Sequence, residues 1–222
     1  MGAPTIDELT LAEEPAAWEA LGFALDGESC LLGGVRIRFT GSGSGRGIVG
    51  WSLRDIHSTE LDGLPTTASE RPPPAEGKEE AGTHPNGARA IDHVVAMTPF
   101  FERSVETLKA AGLDLRRVRE QPTPAGAPRQ AFFRLGREIL ELVQEPAEIV
   151  ARAGGPHRPA RFWGLALLVE DLDVTVRSLG DSAGEIRTAV QPGRRIATVR
   201  RSAGLTVPLA LMSPDERAQA SR

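Results

Sequence analysis

The sequence predicts an α+β protein built from repeated β-α-β-β-β units, with a smaller unit of the same kind at the N-terminus. Three stretches support this prediction, because each places a short helix after a first strand and several short strands after the helix. They are residues 5–39, 90–144 and 162–212. A repeated order of elements constrains the fold more strongly than any single motif does.

The central stretch has the clearest pattern. Residues 90–98 alternate in polarity and are rich in β-branched side chains, which indicates a strand with His93 in a mostly apolar row. Residues 101–111 place apolar side chains three and four positions apart, which predicts an amphipathic helix ending at Gly112. Three further strands are predicted, at residues 114–119, 129–135 and 138–144. Glu141 lies in the last of them.

The flanking stretches repeat this order in shorter form. Asp171 is the predicted N-cap of the C-terminal helix, and Glu8 lies in the first N-terminal strand. The N-terminal elements are a strand at 5–12, a helix at 14–21 and strands at 23–25, 29–32 and 35–39. The C-terminal elements are a strand at 162–169, a helix at 171–179 and strands at 185–190, 195–200 and 207–212. Residues 48–54 predict one more strand, a candidate first strand of a lost repeat because no helix follows it.

Changes in composition divide the chain into four segments. The stretch 57–87 is rich in Pro, Glu, Gly and Ala without an apolar period, which is typical of a linker, so His57 and His84 are expected to be solvated. The predicted organisation is an N-terminal unit at 1–56, a linker at 57–87, a paired domain at 88–214 made of 88–146 and 160–214, and a tail at 215–222.

Charge and composition exclude several classes of partner. The net charge of −4 does not favour nucleic acid, and no apolar run approaches the length of a membrane span. The N-terminus has no signal-peptide pattern, and Cys30 is the only cysteine, so no intrachain disulfide can form. We therefore expect a cytoplasmic protein. Its richness in Arg, Ala, Gly and Pro favours a GC-rich bacterial genome.

Two short motifs carry a resemblance to a known family. Residues 91–95 (IDHVV) and 139–143 (ILELV) resemble the repeat of the vicinal oxygen chelate superfamily, which includes glyoxalases, bleomycin-resistance proteins and dioxygenases. The resemblance implies that two units join into one open eight-stranded cup. It also implies that His93 and Glu141 hold a divalent ion, either iron, manganese, nickel or zinc, with Glu141 as the candidate catalytic residue.

The remaining metal ligands are harder to assign. The superfamily usually takes further ligands from the partner unit, but Gly164 and Leu209 stand at the matching places and neither side chain binds metal. Glu8 is the candidate third ligand. Two alternatives stay open, namely a buried hydrogen-bonded His93 with an arginine-paired Glu141, or a metal-free role of both in acid–base chemistry or ligand contact.

Four arginines are candidate substrate-binding residues, because a guanidinium binds carboxylate or phosphate in a bidentate manner. They are Arg129, Arg134, Arg194 and Arg195. The enzyme hypothesis is a metal-dependent lyase, isomerase or dioxygenase acting on a small oxygenated molecule, with the ion as a Lewis acid. The alternative is a metal-free small-molecule-binding protein of the drug-sequestering, resistance type. The expected partner is a small molecule, and a homodimer is a candidate assembly.

The linker hypothesis predicts that limited proteolysis cuts first between residues 65 and 87, because exposed chain without packed side chains is the preferred site of nicking. Mass analysis of the first fragments checks this. A first cut within 90–144 would contradict the predicted boundaries.

Overall fold

The computed structural model describes residues 2–73, 84–123 and 126–215, and within them the chain forms helices and strands in the following order. The strands are β1 (Thr5–Ala12), β2 (Ser29–Leu32), β3 (Val35–Phe39), β4 (Gly47–Arg54), β5 (Thr66–Ala68), β6 (Ala88–Thr98), β7 (Asp114–Arg119), β8 (Gln130–Leu135), β9 (Glu138–Gln144), β10 (Arg161–Val169), β11 (Arg187–Thr188), β12 (Arg195–Thr198) and β13 (Leu209–Met212). The helices are α1 (Pro15–Ala20), α2 (Phe101–Ala110), α3 (Ala147–Arg152) and α4 (Leu172–Leu179).

These strands form two sheets. One has five strands in the order β2-β3-β1-β4-β5, and the other has eight in the order β11-β12-β13-β10-β6-β9-β8-β7. The eight strands of the predicted cup therefore lie in one sheet, and the predicted α+β class with repeated β-α-β-β-β units is confirmed. Within residues 2–73, 84–123 and 126–215, no helix is long and apolar enough to cross a membrane.

In the central and C-terminal repeats, the first and last strands lie side by side and run parallel. β6 pairs with β9 so that Val95 is opposite Glu141, and β10 pairs with β13 so that Ala166 is opposite Ala210. The other strands of each repeat add in antiparallel fashion. β4 and β5 also pair in parallel, as the first and last strands of the central and C-terminal repeats do. This favours the interpretation of β4 as the first strand of a reduced repeat.

Several predicted elements change in the structure. Residues 23–25 are not a strand, because the Phe23 N–H donates to the Trp18 carbonyl at 3.1 Å and the Ala24 N–H donates to the His84 side chain, so neither joins a strand ladder. The strand predicted at 185–190 is reduced to β11. The helix α3 lies between the two predicted halves of the paired domain, where residues 146–159 were expected to be a connector. The N-cap prediction is confirmed, because the Asp171 side chain accepts a hydrogen bond of 3.0 Å from the Val174 backbone N–H.

Contacts between Cα atoms divide the chain into two compact units, each with its own core. Unit 1 comprises Met1–Glu8, Gly50–Pro73 and His93–Trp163, and unit 2 comprises Leu9–Val49, Pro74–Asp92 and Gly164–Arg222. Buried side chains of unit 1 include Val94, Leu108, Phe133 and Leu140. Those of unit 2 include Trp18, Phe39, Leu167 and Leu172. These units interleave segments of the chain, whereas the predicted domains are contiguous; those boundaries stay a prediction.

The predicted linker is only partly described, because residues 74–83 lie outside the described residues, as does most of the predicted tail. In the described part of the predicted linker, Leu61 and Leu64 are buried and residues 66–68 form β5. His57 is exposed as expected, but the expectation for His84 is wrong. His84 is 5% exposed, and its Nδ1 accepts a 3.0 Å hydrogen bond from the Ala24 backbone N–H.

The hydrogen bonds of the two ring nitrogens determine the tautomer of His84. Because Nδ1 is an acceptor, Nε2 carries the proton and donates to the Leu31 carbonyl at 3.0 Å. Burial lowers the pKa of His84 below its ordinary value of 6.5, while the Leu31 carbonyl raises it by a smaller amount. The folded chain therefore holds this imidazole in the neutral form.

We expect the free energy of unfolding to decrease as the pH falls below about 6.5, because the unfolded chain binds a proton at His84 more readily than the folded chain does. His84→Ala should remove this part of the pH dependence and cost about 1–3 kcal/mol, since Ala24 N–H and the Leu31 carbonyl lose their partner. Urea unfolding between pH 5 and 8 measures both. The exposed His57→Ala is the matched control, and an unchanged slope in His84→Ala would contradict the assignment.

Candidate functional site

Two predicted ligands meet on one face of the eight-stranded sheet. Parallel pairing of β6 with β9 brings the His93 Nε2 to 3.4 Å from the Glu141 Oε2, with exposed side-chain fractions of 14% and 15%. Side chains on paired parallel strands share a face when their positions have the same parity. Val95 lies opposite Glu141 and therefore shares its face of the sheet. His93 is two positions before Val95 on the same strand, so His93 lies on that face as well.

A third polar side chain, Gln130 on β8, joins the pair. Its Nε2 donates a hydrogen bond to the Glu141 Oε1, and the residue is 8% exposed. Its Oε1 is buried and has no hydrogen-bond partner among the described residues. We call His93, Gln130 and Glu141 the polar cluster. No sequence motif pointed to Gln130, although its place opposite Val143 puts it diagonal to Glu141 across the strand pair.

An apolar patch continues the same face. Val95, Ala127 and Val143 form a cluster of buried residues, and the partly buried Met97 packs against it. Val95 and Met97 follow His93 at intervals of two along β6, so they extend the row that begins at the polar cluster. A ligand seated on the polar cluster would therefore meet apolar side chains next to it.

The four predicted arginines have other partners. Arg129 donates to Glu102 at 2.6 Å and to Gln144 at 2.7 Å, and its hydrogen bond lowers the pKa of the Glu102 carboxyl. Arg134 is exposed and donates to the Gly136 carbonyl at 3.0 Å.

The two arginines of unit 2 also form ion pairs. Arg194 lies 2.6 Å from Asp92, and Arg195 donates to Asp173 on α4 at 2.7 Å. The Arg195 hydrogen bond lowers the pKa of Asp173. Since Arg195 points towards a helix and Arg194 already has a carboxylate partner, neither meets the polar cluster through its described contacts.

Glu8 lies elsewhere in the fold. It belongs to β1 in the five-stranded sheet, where its Oε2 is 3.4 Å from the Arg71 Nη2. It lines an open depression of about 490 Å³ together with Asp7, Ser52, Thr67, Ala68, Ser69, Glu70 and Arg71. His93 and Glu141 are in the eight-stranded sheet, and among the described residues Glu8 does not form a three-residue metal-binding group with them.

The C-terminal repeat has no polar cluster at the corresponding place. Ala166 pairs with Ala210 as Val95 pairs with Glu141, so Ala210, and not Leu209, occupies the position that matches Glu141. The assignment of Leu209 was therefore shifted by one residue. Gly164 matches His93, and a Cβ atom there would lie 2.9 Å from the Pro208 carbonyl oxygen.

The polar cluster can be tested for its fit to a divalent ion. It offers an imidazole nitrogen, a carboxylate and one amide oxygen without a partner, which suits iron, manganese, nickel or zinc. Within the described part of the chain, no group of three or more His, Cys, Asp or Glu is arranged to hold a metal. Among the described residues, the Gln130 Oε1 is the further side-chain oxygen that the polar cluster offers beside His93 and Glu141.

Comparison with known proteins supports the fold. No protein-family model and no curated protein gives a significant match to the sequence. A mutant 4-hydroxymandelate synthase from Streptomyces coelicolor is similar in structure, with a TM-score of 0.63 and 14% identity over 94% of this chain and 92% of that one. A fusion of a xylose isomerase-like TIM barrel with 4-hydroxyphenylpyruvate dioxygenase has a TM-score of 0.57 and 12% identity. This alignment covers 94% of our chain and 48% of the fusion protein.

Methylmalonyl-CoA epimerase from Mycobacterium tuberculosis is also similar, with 18% identity, a TM-score of 0.48, and coverage of 60% of this chain and 93% of its own. These neighbours belong to the vicinal oxygen chelate superfamily. At such identities the likeness to the synthase and the dioxygenase fusion concerns the fold alone. At that level the resemblance found in the sequence is confirmed.

We expect Gly164→Ala to lower the free energy of unfolding by about 1–3 kcal/mol, because the new methyl group conflicts with the Pro208 backbone. Gly43→Ala is the control, since an added Cβ there meets no atom within 4 Å, and it should change stability by less than about 0.5 kcal/mol. Urea unfolding compares the two. Equal stability of both variants would contradict the close approach.

Proposed function

We propose that this chain, which has the vicinal oxygen chelate fold, binds a small oxygenated molecule at the polar cluster through a divalent ion held by His93 and Glu141. The observation that carries the proposal is the meeting of these two side chains beside the unpaired, buried Gln130 Oε1. Leaving a buried amide oxygen without a partner costs about 1–3 kcal/mol, and a bound ion would remove that cost.

Each residue of the cluster has a separate task in this proposal. His93 supplies a neutral nitrogen and Glu141 a negatively charged oxygen, which together favour a divalent cation. Gln130 holds the Glu141 carboxylate in place by its hydrogen bond and offers its own oxygen as a further ligand. The bound ion would act as a Lewis acid on neighbouring oxygens of the ligand. The apolar patch limits the access of water to them.

The enzymatic form of this proposal is a lyase, isomerase or dioxygenase reaction, with Glu141 as the catalytic residue. Its support is that the two neighbours covering nearly the whole chain carry the names of a synthase and a dioxygenase fusion. The proposal retains a cytoplasmic location and a small molecule as the partner.

A second candidate is a metal-free protein that sequesters a small molecule. The observation that favours it is that the C-terminal repeat has no metal-binding side chains at the matching positions. Gly164 occupies the position that matches His93, and Ala210 the position that matches Glu141. In this form, the imidazole, the carboxylate and the amide would hydrogen-bond the ligand directly.

Metal retention distinguishes the two candidates. We expect wild-type protein to bind Mn²⁺, Fe²⁺, Ni²⁺ or Zn²⁺ weakly, and more tightly with acetohydroxamate, a chelator with two neighbouring oxygens. His93→Ala and Glu141→Ala should each abolish binding, whereas Gln130→Ala should weaken it about 10- to 100-fold. Affinity should decrease at acid pH, because protons compete for the ligand nitrogen. Titration calorimetry and elemental analysis measure these effects.

Two exposed residues of the same unit provide matched controls, His157→Ala for the imidazole and Glu106→Ala for the carboxylate. Both should bind metal like the wild type. If wild-type protein stays metal-free under all four ions with and without acetohydroxamate, the metal form is wrong and the metal-free candidate is retained.

A further inference from the structure

A buried carboxylate near the apolar patch holds two arginines. Glu145 is 1% exposed and lies directly after β9, where its backbone N–H donates to the Thr98 carbonyl at 2.9 Å. The Arg158 Nη2 donates to its Oε2 at 2.5 Å, and the Arg161 Nη2 lies 3.2 Å from its Oε1. Two guanidinium groups thus share one carboxylate, and the three side chains together carry one net positive charge.

Arg161 is the more exposed of the two arginines and makes the longer contact with Glu145. Arg158 makes the shorter, hydrogen-bonded contact and its side chain is 25% exposed, whereas the Arg161 side chain is 50% exposed. The Glu145 Oε1 near Arg161 has no hydrogen-bond partner among the described residues, so this contact is an ion pair without aligned N–H donors. The contacts of Arg161 with Glu145 and Met97 both use its Nη2, so among the described residues its Nε and Nη1 have no acceptor.

The Arg161 guanidinium reaches the apolar patch. Its Nη2 lies 3.8 Å from the Met97 Sδ, and Met97 packs against Val95, Ala127 and Val143. His93 and Met97 are four positions apart on the same face of β6, which corresponds to about 13 Å at roughly 3.3 Å per residue. The polar cluster and Arg161 thus lie at opposite ends of an apolar stretch within unit 1.

We propose that Arg161 binds an anionic group of the ligand, so that the ligand of this site is an elongated, amphipathic anion. One end carries the oxygens that meet the polar cluster, an apolar middle contacts the partly buried Met97 at the edge of the patch, and a carboxylate or phosphate accepts from Arg161. A planar guanidinium suits these acceptors because it donates two parallel hydrogen bonds. The inference rests on the proposed function, since it extends the same site.

A purely structural role for Arg161 predicts a different result. In that case, Arg161→Gln would change stability and would weaken all ligands alike, without regard to their charge. A role in anion binding instead changes the ratio of affinities between a charged ligand and its neutral analogue. This ratio is independent of how tightly the polar cluster itself holds either molecule.

The probes are the monohydroxamate of suberic acid, which has a free carboxylate, and its methyl ester, both titrated with Ni²⁺ present and absent. We expect wild-type protein to bind the acid about tenfold more tightly than the ester, as for a hydrogen bond to a charged group that is partly exposed. The preference should decrease as the salt concentration rises. The shorter succinic monohydroxamate and its ester should show no preference, because they cannot span the patch.

Variants of Arg161 test whether this residue causes the preference for the acid over the ester. Arg161→Gln should bring the ratio for the suberic pair close to one, Arg161→Lys should keep part of it, and Arg116→Gln, an exposed arginine of the same unit, should leave it unchanged. If both suberic probes bind wild type equally, or the preference survives in Arg161→Gln, the inference is overturned and the polar-cluster proposal stands. If neither probe binds with or without Ni²⁺, the proposed function fails and this inference fails with it.

Discussion

Parallel pairing between the first and last strand of each repeat is the constraint on which the rest of the structure depends. In the central repeat, it sets Val95 opposite Glu141 and so puts His93 and Glu141 on one face, although a helix and two strands separate them in the sequence. A slip of one residue would turn Glu141 to the opposite face, because side chains alternate with a period of two. The register therefore determines whether the polar cluster exists.

The polar cluster lowers the stability of the fold, so its presence points to a role other than stabilisation. His93, Gln130 and Glu141 are all mostly buried, and a buried network that is only partly satisfied is less stable than apolar packing of the same volume. The three-member group at Glu145 has the same character, since its two arginines do not fully satisfy one carboxylate. Both groups border the same apolar patch, His93 through the row that leads to Val95 and the Glu145 group through the contact of Arg161 with Met97.

Features that follow from the alternation of polar and apolar residues along one strand could be predicted from the sequence. Features that follow from the register between paired strands could not. Alternation was enough for the strand of His93 and for the face of Glu141. Gln130 was missed because its place beside Glu141 follows from an antiparallel register that no motif records. The same reason explains why Leu209 was assigned in place of Ala210. His84 was misjudged because its Pro-rich surroundings suggested solvent, whereas two backbone groups distant in sequence hold it.

The close approach of Gly164 to Pro208 has a consequence for the evolution of the C-terminal repeat. The Leu165 N–H donates to the Pro208 carbonyl at 3.0 Å, and that oxygen occupies the space that a Cβ at Gly164 would need. A histidine or glutamine at this position would meet the same conflict at its Cβ, so its introduction lowers the free energy of unfolding unless the strand pairing shifts as well. A return to two equivalent repeats therefore carries a cost in stability at its first step, whereas a change of polar side chains in the central repeat does not meet this obstacle.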